Sequence, residues 1–407
     1  MSAGDVSRWA RRFVAASAVF LVAWQVAAVL AALPTVGVDV PRRTRVTLAV
    51  YGFVLNAVFG KAYSLVPSYF DRSLALGRAP GVHFPLAALG AAGLAAEPLP
   101  GVPEVVGALG ALCWAAGVAV FVVALGWTLR DDPTGRETGT SDANAHRRRV
   151  DRFANAFVPV VLAYLVAGTA ATLTPYAGVL GADLAAVGLP AVAFARTAHL
   201  LAAGTAALLL FAVGFRLFPR FLVASPPPTL VAVVLPAGAL GPAVLALGLY
   251  DGWWFRAGAT LEALAVVGFA LAYAALFARS ERRRVGFYAV LAGVTAGVLG
   301  VALGLHFAFS GVRFELVEAH LRLNVLGFVG LTIVGATYQF YPPTVGSFPG
   351  ASDRTALASV ALVGVGLLAE VGGTLVGAPT ASLAGRASAL AGATTFAWLV
   401  LGVFRER

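Results

Sequence analysis

Apolar runs long enough to cross a bilayer recur along almost the whole chain, and they restrict what it can become. They fall near 10–32, 46–67, 82–97, 104–129, 153–175, 190–218, 228–249, 255–279, 286–309, 315–341, 355–377 and 383–404. A run of about 20 apolar residues, coiled as a helix, matches the hydrocarbon thickness of a membrane. The third, VHFPLAALGAAGLAA, is the shortest and contains Pro85. Composition agrees: 59% of the 407 residues are hydrophobic, 12% are charged, and the mean hydropathy is +0.86. The expected fold class is therefore an all-α polytopic membrane protein of 12 transmembrane helices, with the lipid bilayer as its first partner. The opening MSAGDVSRWARR leads into the first run without a small-residue cleavage site, so that run is expected to remain as an uncleaved helix.

The net charge of +10 sits almost wholly on arginine, with Lys61 the single lysine. Arginines crowd the loops of one side: Arg8, Arg11, Arg12, Arg72, Arg78, the 130–152 loop, Arg220, Arg279, Arg282 to Arg284, Arg354, Arg405 and Arg407. The other side has Arg42, Arg43, Arg45, Arg256, Arg313 and Arg386. This bias predicts a multi-pass protein of the cell (plasma) membrane with both termini cytoplasmic, and it accounts for the charge without a nucleic-acid partner. Cys113 is the only cysteine, which excludes an internal disulfide or a zinc knuckle. The loop RDDPTGRETGTSDANAHRRRVDR is the only long polar stretch and is expected to be flexible, with His146 solvated in it.

Three runs end alike: GKAYSLVP at Pro67, VGFRLFP at Pro219 and GATYQFYP at Pro342. Each has an aromatic four residues before its proline (Tyr63, Phe215, Tyr338) and a glycine fifteen before it (Gly52, Gly204, Gly327). The prolines are separated by 152 and 123 residues, a difference of 29 that is close to the length of the polar loop in the first interval. The chain thus reads as a single membrane domain of three four-helix repeats, about 1–129, 153–279 and 286–404, in which spans 2, 6 and 10 are equivalent.

Span 10 carries an ionisable side chain, His320, twenty-two residues before Pro342. At about 100° per residue, His320, Gly327, Gly335 and Tyr338 share one helix face. A flat ligand such as a porphyrin and a closely packed helix would both suit that stripe. Glu318 and Arg322 stand four residues apart and are expected to pair on the helix rim.

This plan resembles subunit I of the heme-copper oxidase superfamily, most closely the cbb3-type oxidases and nitric oxide reductases. Their tenth span runs H-x-H-x4-G-[aromatic]-x-G-x4-G-x2-Y-x3-P. Here His320, Arg322, Gly327, Phe328, Gly330, Gly335, Tyr338 and Pro342 stand in that register. The resemblance implies a cytochrome oxidase subunit I-like fold, with His320 as axial ligand of an oxygen-reactive heme. It also implies that His199, twenty residues before Pro219, is a metal or heme contact. The chain departs from the pattern at Arg322, at Arg45 and throughout span 7. The first two replace the ligands of the low-spin heme, and span 7 lacks the histidines of the copper site. Arginine has no lone pair to offer iron, and His199 alone does not make a copper site, so at most one heme and no copper are expected. The NnrS family of heme- and copper-containing membrane proteins linked to nitric oxide tolerance has similar span spacing, but its W-H-x-H-E motif is absent here.

The resemblance implies a divergent relative that binds one heme and acts in respiratory, or nitric oxide- or oxygen-related, electron transfer or sensing. A respiratory-complex subunit or redox partner would go with it. Two alternatives stay open: a cofactor-free scaffold or transporter, and a terminal oxidase or reductase completed by a partner subunit. Glu262 and Glu370, inside spans 8 and 11, are candidates for a proton path. Lys61 lies near the end of span 2 and is expected to snorkel, while His83 and His306 at span ends are expected to be interfacial. No phosphate loop, dinucleotide fingerprint or hydrolase elbow is present.

Overall fold

The computed structural model describes residues 3–33, 39–183, 186, 191–250 and 252–406; Pro190 and Arg407 lie outside the described residues. Among the described residues there is no strand, and 12 helices are long and apolar enough to cross a membrane. They are α1 (Val6–Leu30), α2 (Arg42–Tyr69), α3 (Ala79–Ala96), α4 (Glu104–Leu129), α5 (Asp142–Tyr176) and α6 (Phe194–Leu222). The second half comprises α7 (Pro228–Leu247), α8 (Gly252–Arg279), α9 (Val285–Ser310), α10 (Phe314–Val345), α11 (Asp353–Leu375) and α12 (Pro379–Arg405). The protein is an all-α, multi-pass membrane protein. In hydrocarbon every backbone polar group needs an internal partner, which a helix supplies along its own length. Turns fall where the apolar runs end; Gly311 (φ +94°) and Gly377 (φ +69°) close α9 and α11 in a conformation that favours glycine.

Three helices form the centre. The apolar windows of α2, α6 and α10 are 83%, 72% and 72% buried, against 44–50% for the other nine. These three touch one another, and the outer nine ring them, with α12 closing on α1. The outer helices pair as the hairpins α3/α4, α7/α8 and α11/α12, and α9 packs as extensively along α10. Glycines on both strokes of each hairpin allow close approach: a Cβ on Gly90 would strike the Trp114 backbone, one on Gly258 the Leu245 backbone, and one on Gly385 the Glu370 backbone.

The recurring sequence positions occupy recurring places. The aromatic four residues before each proline meets a phenylalanine of the hairpin's second helix edge-on. Tyr63–Phe121 centroids are 5.1 Å apart at 80°, Phe215–Phe269 5.3 Å at 76°, and Tyr338–Phe396 5.6 Å at 69°. The glycine fifteen before each proline receives the helix that precedes it: Gly52 takes Phe20 of α1, Gly204 takes Tyr164 of α5, and Gly327 takes Ala296 of α9. Each central helix also carries a π-helical stretch at that level, Leu48–Leu55, Leu200–Ala207 and Arg322–Gly330.

On α10 the glycine stripe serves helix packing. Gly327 and Gly335 face α9, where a Cβ on Gly335 would meet the Gly286 carbonyl. Tyr338 turns to α11, where its hydroxyl bonds Ser359 at 2.6 Å. His320, Gly327 and Gly335 thus all meet α9, and only the aromatic of the expected single face turns away from it.

The 130–152 segment, expected to be a flexible loop, carries contacts that a free loop lacks. Asp151 is 1% exposed, pairs with Arg220 at 2.7 Å and accepts from Thr140 Oγ1 at 2.5 Å. Arg216 donates to the Tyr69 carbonyl at 2.7 Å, to Thr138 Oγ1 at 3.1 Å and to Asn155. His146 is exposed in this segment.

Candidate functional site

His199 and His320 come together. Each stands near the start of its helix, α6 or α10, at the end of the bundle opposite the termini. Their rings lie 6.4 Å apart between centroids, with planes 26° from parallel. The Nδ1–H of His320 donates to the Gly300 carbonyl of α9 at 2.9 Å, and that of His199 to the Ala195 carbonyl one turn back at 2.8 Å. A carbonyl only accepts, so each Nδ1 carries the proton and each Nε2 keeps its lone pair. Asn324, one turn after His320, donates to the His320 carbonyl at 2.9 Å, and Phe307 packs on the His320 ring at 5.7 Å.

Both imidazoles line one cavity of about 230 Å³ between α2, α6, α8, α9 and α10. Its walls are mostly apolar, including Val46, Ala202, Val266, Val301 and Phe328. Its polar groups are the two histidines, Asn324, Tyr250, Arg42 and Glu262. Glu262 Oε1 is buried without a hydrogen-bond partner among the described residues. Asn324 is signalled by its place one turn from His320, whereas Arg42 and Tyr250 reach the cavity only through tertiary packing.

The second carboxylate lies elsewhere. Glu370 is clamped between two guanidiniums: Arg322 Nη2 at 2.7 Å and Nε at 2.9 Å, and Arg386 Nε at 3.0 Å. Arg322 is fully buried, 5.1 Å above the Trp24 ring. This corrects the expected Glu318–Arg322 pair. Glu318 instead meets Arg45 of α2 at 2.7 Å and Arg42 at 3.7 Å. Partners on neighbouring helices reach these long side chains more directly than they reach each other along the rim. Arg45 and Arg322 are thus each committed to a carboxylate.

His83 corrects a second expectation. It is fully buried, 3.1 Å from the Tyr63 hydroxyl and packed among Phe13, Phe59 and Phe121, because α3 turns it inward against α2 and α4. His306 is exposed at the end of α9. Lys61 donates to the Tyr341 hydroxyl at 2.9 Å, with its ammonium 3.9 Å from the Phe340 ring centroid.

Compared with known proteins, the chain matches no protein-family model and no curated protein.

Two open imidazole nitrogens suit a transition metal, and backbone carbonyls holding the opposite nitrogens are the usual support for such ligands. Among the described residues no three His, Cys, Asp or Glu side chains converge on a metal position. A bare ion would therefore lack ligands, so the pair would suit only a metal carried within a larger group. His199 and His320 would be the residues to hold such a group, which would supply one-electron chemistry beside the cavity.

Proposed function

We propose that this chain is a one-heme membrane protein, in which His199 and His320 hold the iron in the half of the bundle opposite the termini. The observation that carries the reading is the pair itself: two imidazoles, each with its Nδ1–H held by a backbone carbonyl, 6.4 Å apart between centroids on one largely apolar cavity. Heme would supply one-electron chemistry there. The residues of the chain orient and enclose it: Gly300 and Ala195 fix the ring tautomers, Phe328 and the valines exclude water, and Glu262 places a carboxyl beside the cavity. The role that follows is nitric oxide- or oxygen-related sensing or electron transfer, alone or within a respiratory complex. The arginine bias favours the plasma membrane with cytoplasmic termini.

The pattern shared with heme-copper oxidases in α2, α6 and α10 supports this reading as a divergent relation. The missing histidines and the ion pairs of Arg45 and Arg322 weigh against an oxygen-reducing centre with two hemes and copper. Unpartnered Glu262 on the same cavity favours a second reading, a cofactor-free transporter that uses the carboxyl as its ion or proton site.

The test is a reduced-minus-oxidised absorption spectrum of the purified protein beside His320→Ala and His199→Ala. A heme spectrum that is lost in His320→Ala and altered in His199→Ala supports the proposal. A well-folded wild type without heme overturns it and brings the transporter reading forward.

A further inference from the structure

A second feature lies at the opposite end, where the ring of helices closes between α1 and α12. A cleft of about 300 Å³ there is lined by Arg8, Arg11, Arg12 and Arg405, over an apolar floor of Ala15, Leu401 and Phe404. The three arginines of α1 stand at i, i+3 and i+4 and so share one face of that helix. The fourth comes from the last residue of α12, so the site exists only because the first and last helices meet.

Among the described residues no carboxylate lines this cleft. Glu406, next to Arg405, accepts from the Ser347 N–H at 2.8 Å and the Ser347 hydroxyl at 2.7 Å. Arg12 stacks on the Trp9 ring, 4.3 Å from its centroid. Among the described residues, the Arg11 and Arg405 guanidiniums have no hydrogen bond or ion pair. Two other arginines at this end donate within the protein: Arg282 to the Phe221 carbonyl at 3.0 Å and Arg279 to the Ser225 carbonyl at 3.4 Å. Charge bias for insertion explains why arginines lie at this end, but it does not require four of them around one cleft.

We infer that the α1/α12 cleft is a binding site for the phosphodiester headgroup of an anionic phospholipid. Guanidiniums match phosphate oxygens with two parallel hydrogen bonds and stay charged at any working pH. Basic pockets between membrane helices recognise anionic headgroups in this way. The apolar floor at Leu401 and Phe404, where the helices enter the membrane, suits the start of the acyl chains and distinguishes a lipid from a free ion.

The test uses the full chain purified in a neutral maltoside and titrated with single lipids by native mass spectrometry. Phosphatidylglycerol and a two-phosphate lipid are compared with phosphatidylcholine, and inorganic phosphate is added as a competitor. The expected result is one saturable anionic lipid per chain, bound at least tenfold more tightly than phosphatidylcholine. Arg11→Gln with Arg405→Gln should weaken it about tenfold, while Arg279→Gln with Arg282→Gln should leave it within twofold. Equal binding of phosphatidylcholine by the wild type overturns the proposal without any variant. Equal losses in the two variant pairs also overturn it, by showing a diffuse field rather than a site. Full displacement by millimolar inorganic phosphate identifies a free-ion site and overturns the assignment to lipid.

Discussion

Replacing Glu370 by glutamine isolates the electrostatic knot that joins α10, α11 and α12. The side chains of Arg322, Glu370 and Arg386 are 0%, 3% and 14% exposed, so two guanidiniums share one carboxylate almost out of reach of water. Glu370→Gln keeps the shape but leaves the Arg322 cation buried without a counter-charge. Breaking a buried pair on one side costs about 3–5 kcal/mol, a factor of at least about 100 in the folded-to-unfolded ratio. Removing both charges, Glu370→Gln with Arg322→Gln, takes away the uncompensated cation. It should therefore recover about 2 kcal/mol or more relative to the single variant. Arg386 retains its bond to the Ala28 carbonyl at 3.0 Å. The exposed Arg313–Glu315 pair, at 2.7 Å with side chains 58% and 59% exposed, is the control, and Arg313→Gln should cost under about 1 kcal/mol. The assay is equilibrium unfolding in mixed maltoside and dodecyl sulfate micelles, followed by tryptophan fluorescence. A loss under about 1 kcal/mol for Glu370→Gln, or a double variant no more stable than the single, would refute the reasoning.

Other outcomes follow from the same packing. Gly327→Ala should cost about 1–3 kcal/mol in that assay because its Cβ meets Ala296, whereas Gly364→Ala, with open space around it, should be neutral or stabilising by up to about 1 kcal/mol. Asp151→Asn should release the 130–152 segment from Arg216 and Arg220, so limited trypsin digestion should cut near Arg147 to Arg149 faster than in the wild type. Tyr63→Phe leaves His83 without its hydroxyl partner and should cost about 1–3 kcal/mol, although sequence alone places His83 at the membrane surface.

Much of the architecture is legible in the sequence because its signals are local and repeated. Twelve apolar runs appear as twelve helices, and the three proline-ended runs are the three most buried ones. Their glycines and aromatics can be read at fixed offsets, and the structure uses each set in the same way three times. What sequence does not carry is rotation. The meeting of His199 and His320 depends on how α6 and α10 turn against each other, which spacing along one helix does not give. The partners of Glu318 and Arg322 are missed for another reason: along one helix they are neighbours, but α2 and α11 offer closer charges. Glu370, a lone acid in a hydrophobic run, looks like a proton carrier until Arg322 and Arg386 are seen on either side of it.

The most direct test of the central claim is a count of heme and iron per chain, by pyridine hemochrome and elemental analysis, in the purified wild type and in His199→Ala and His320→Ala. The account predicts one of each in the wild type, and a loss in His320→Ala. Two hemes, or none in a well-folded protein, would contradict it.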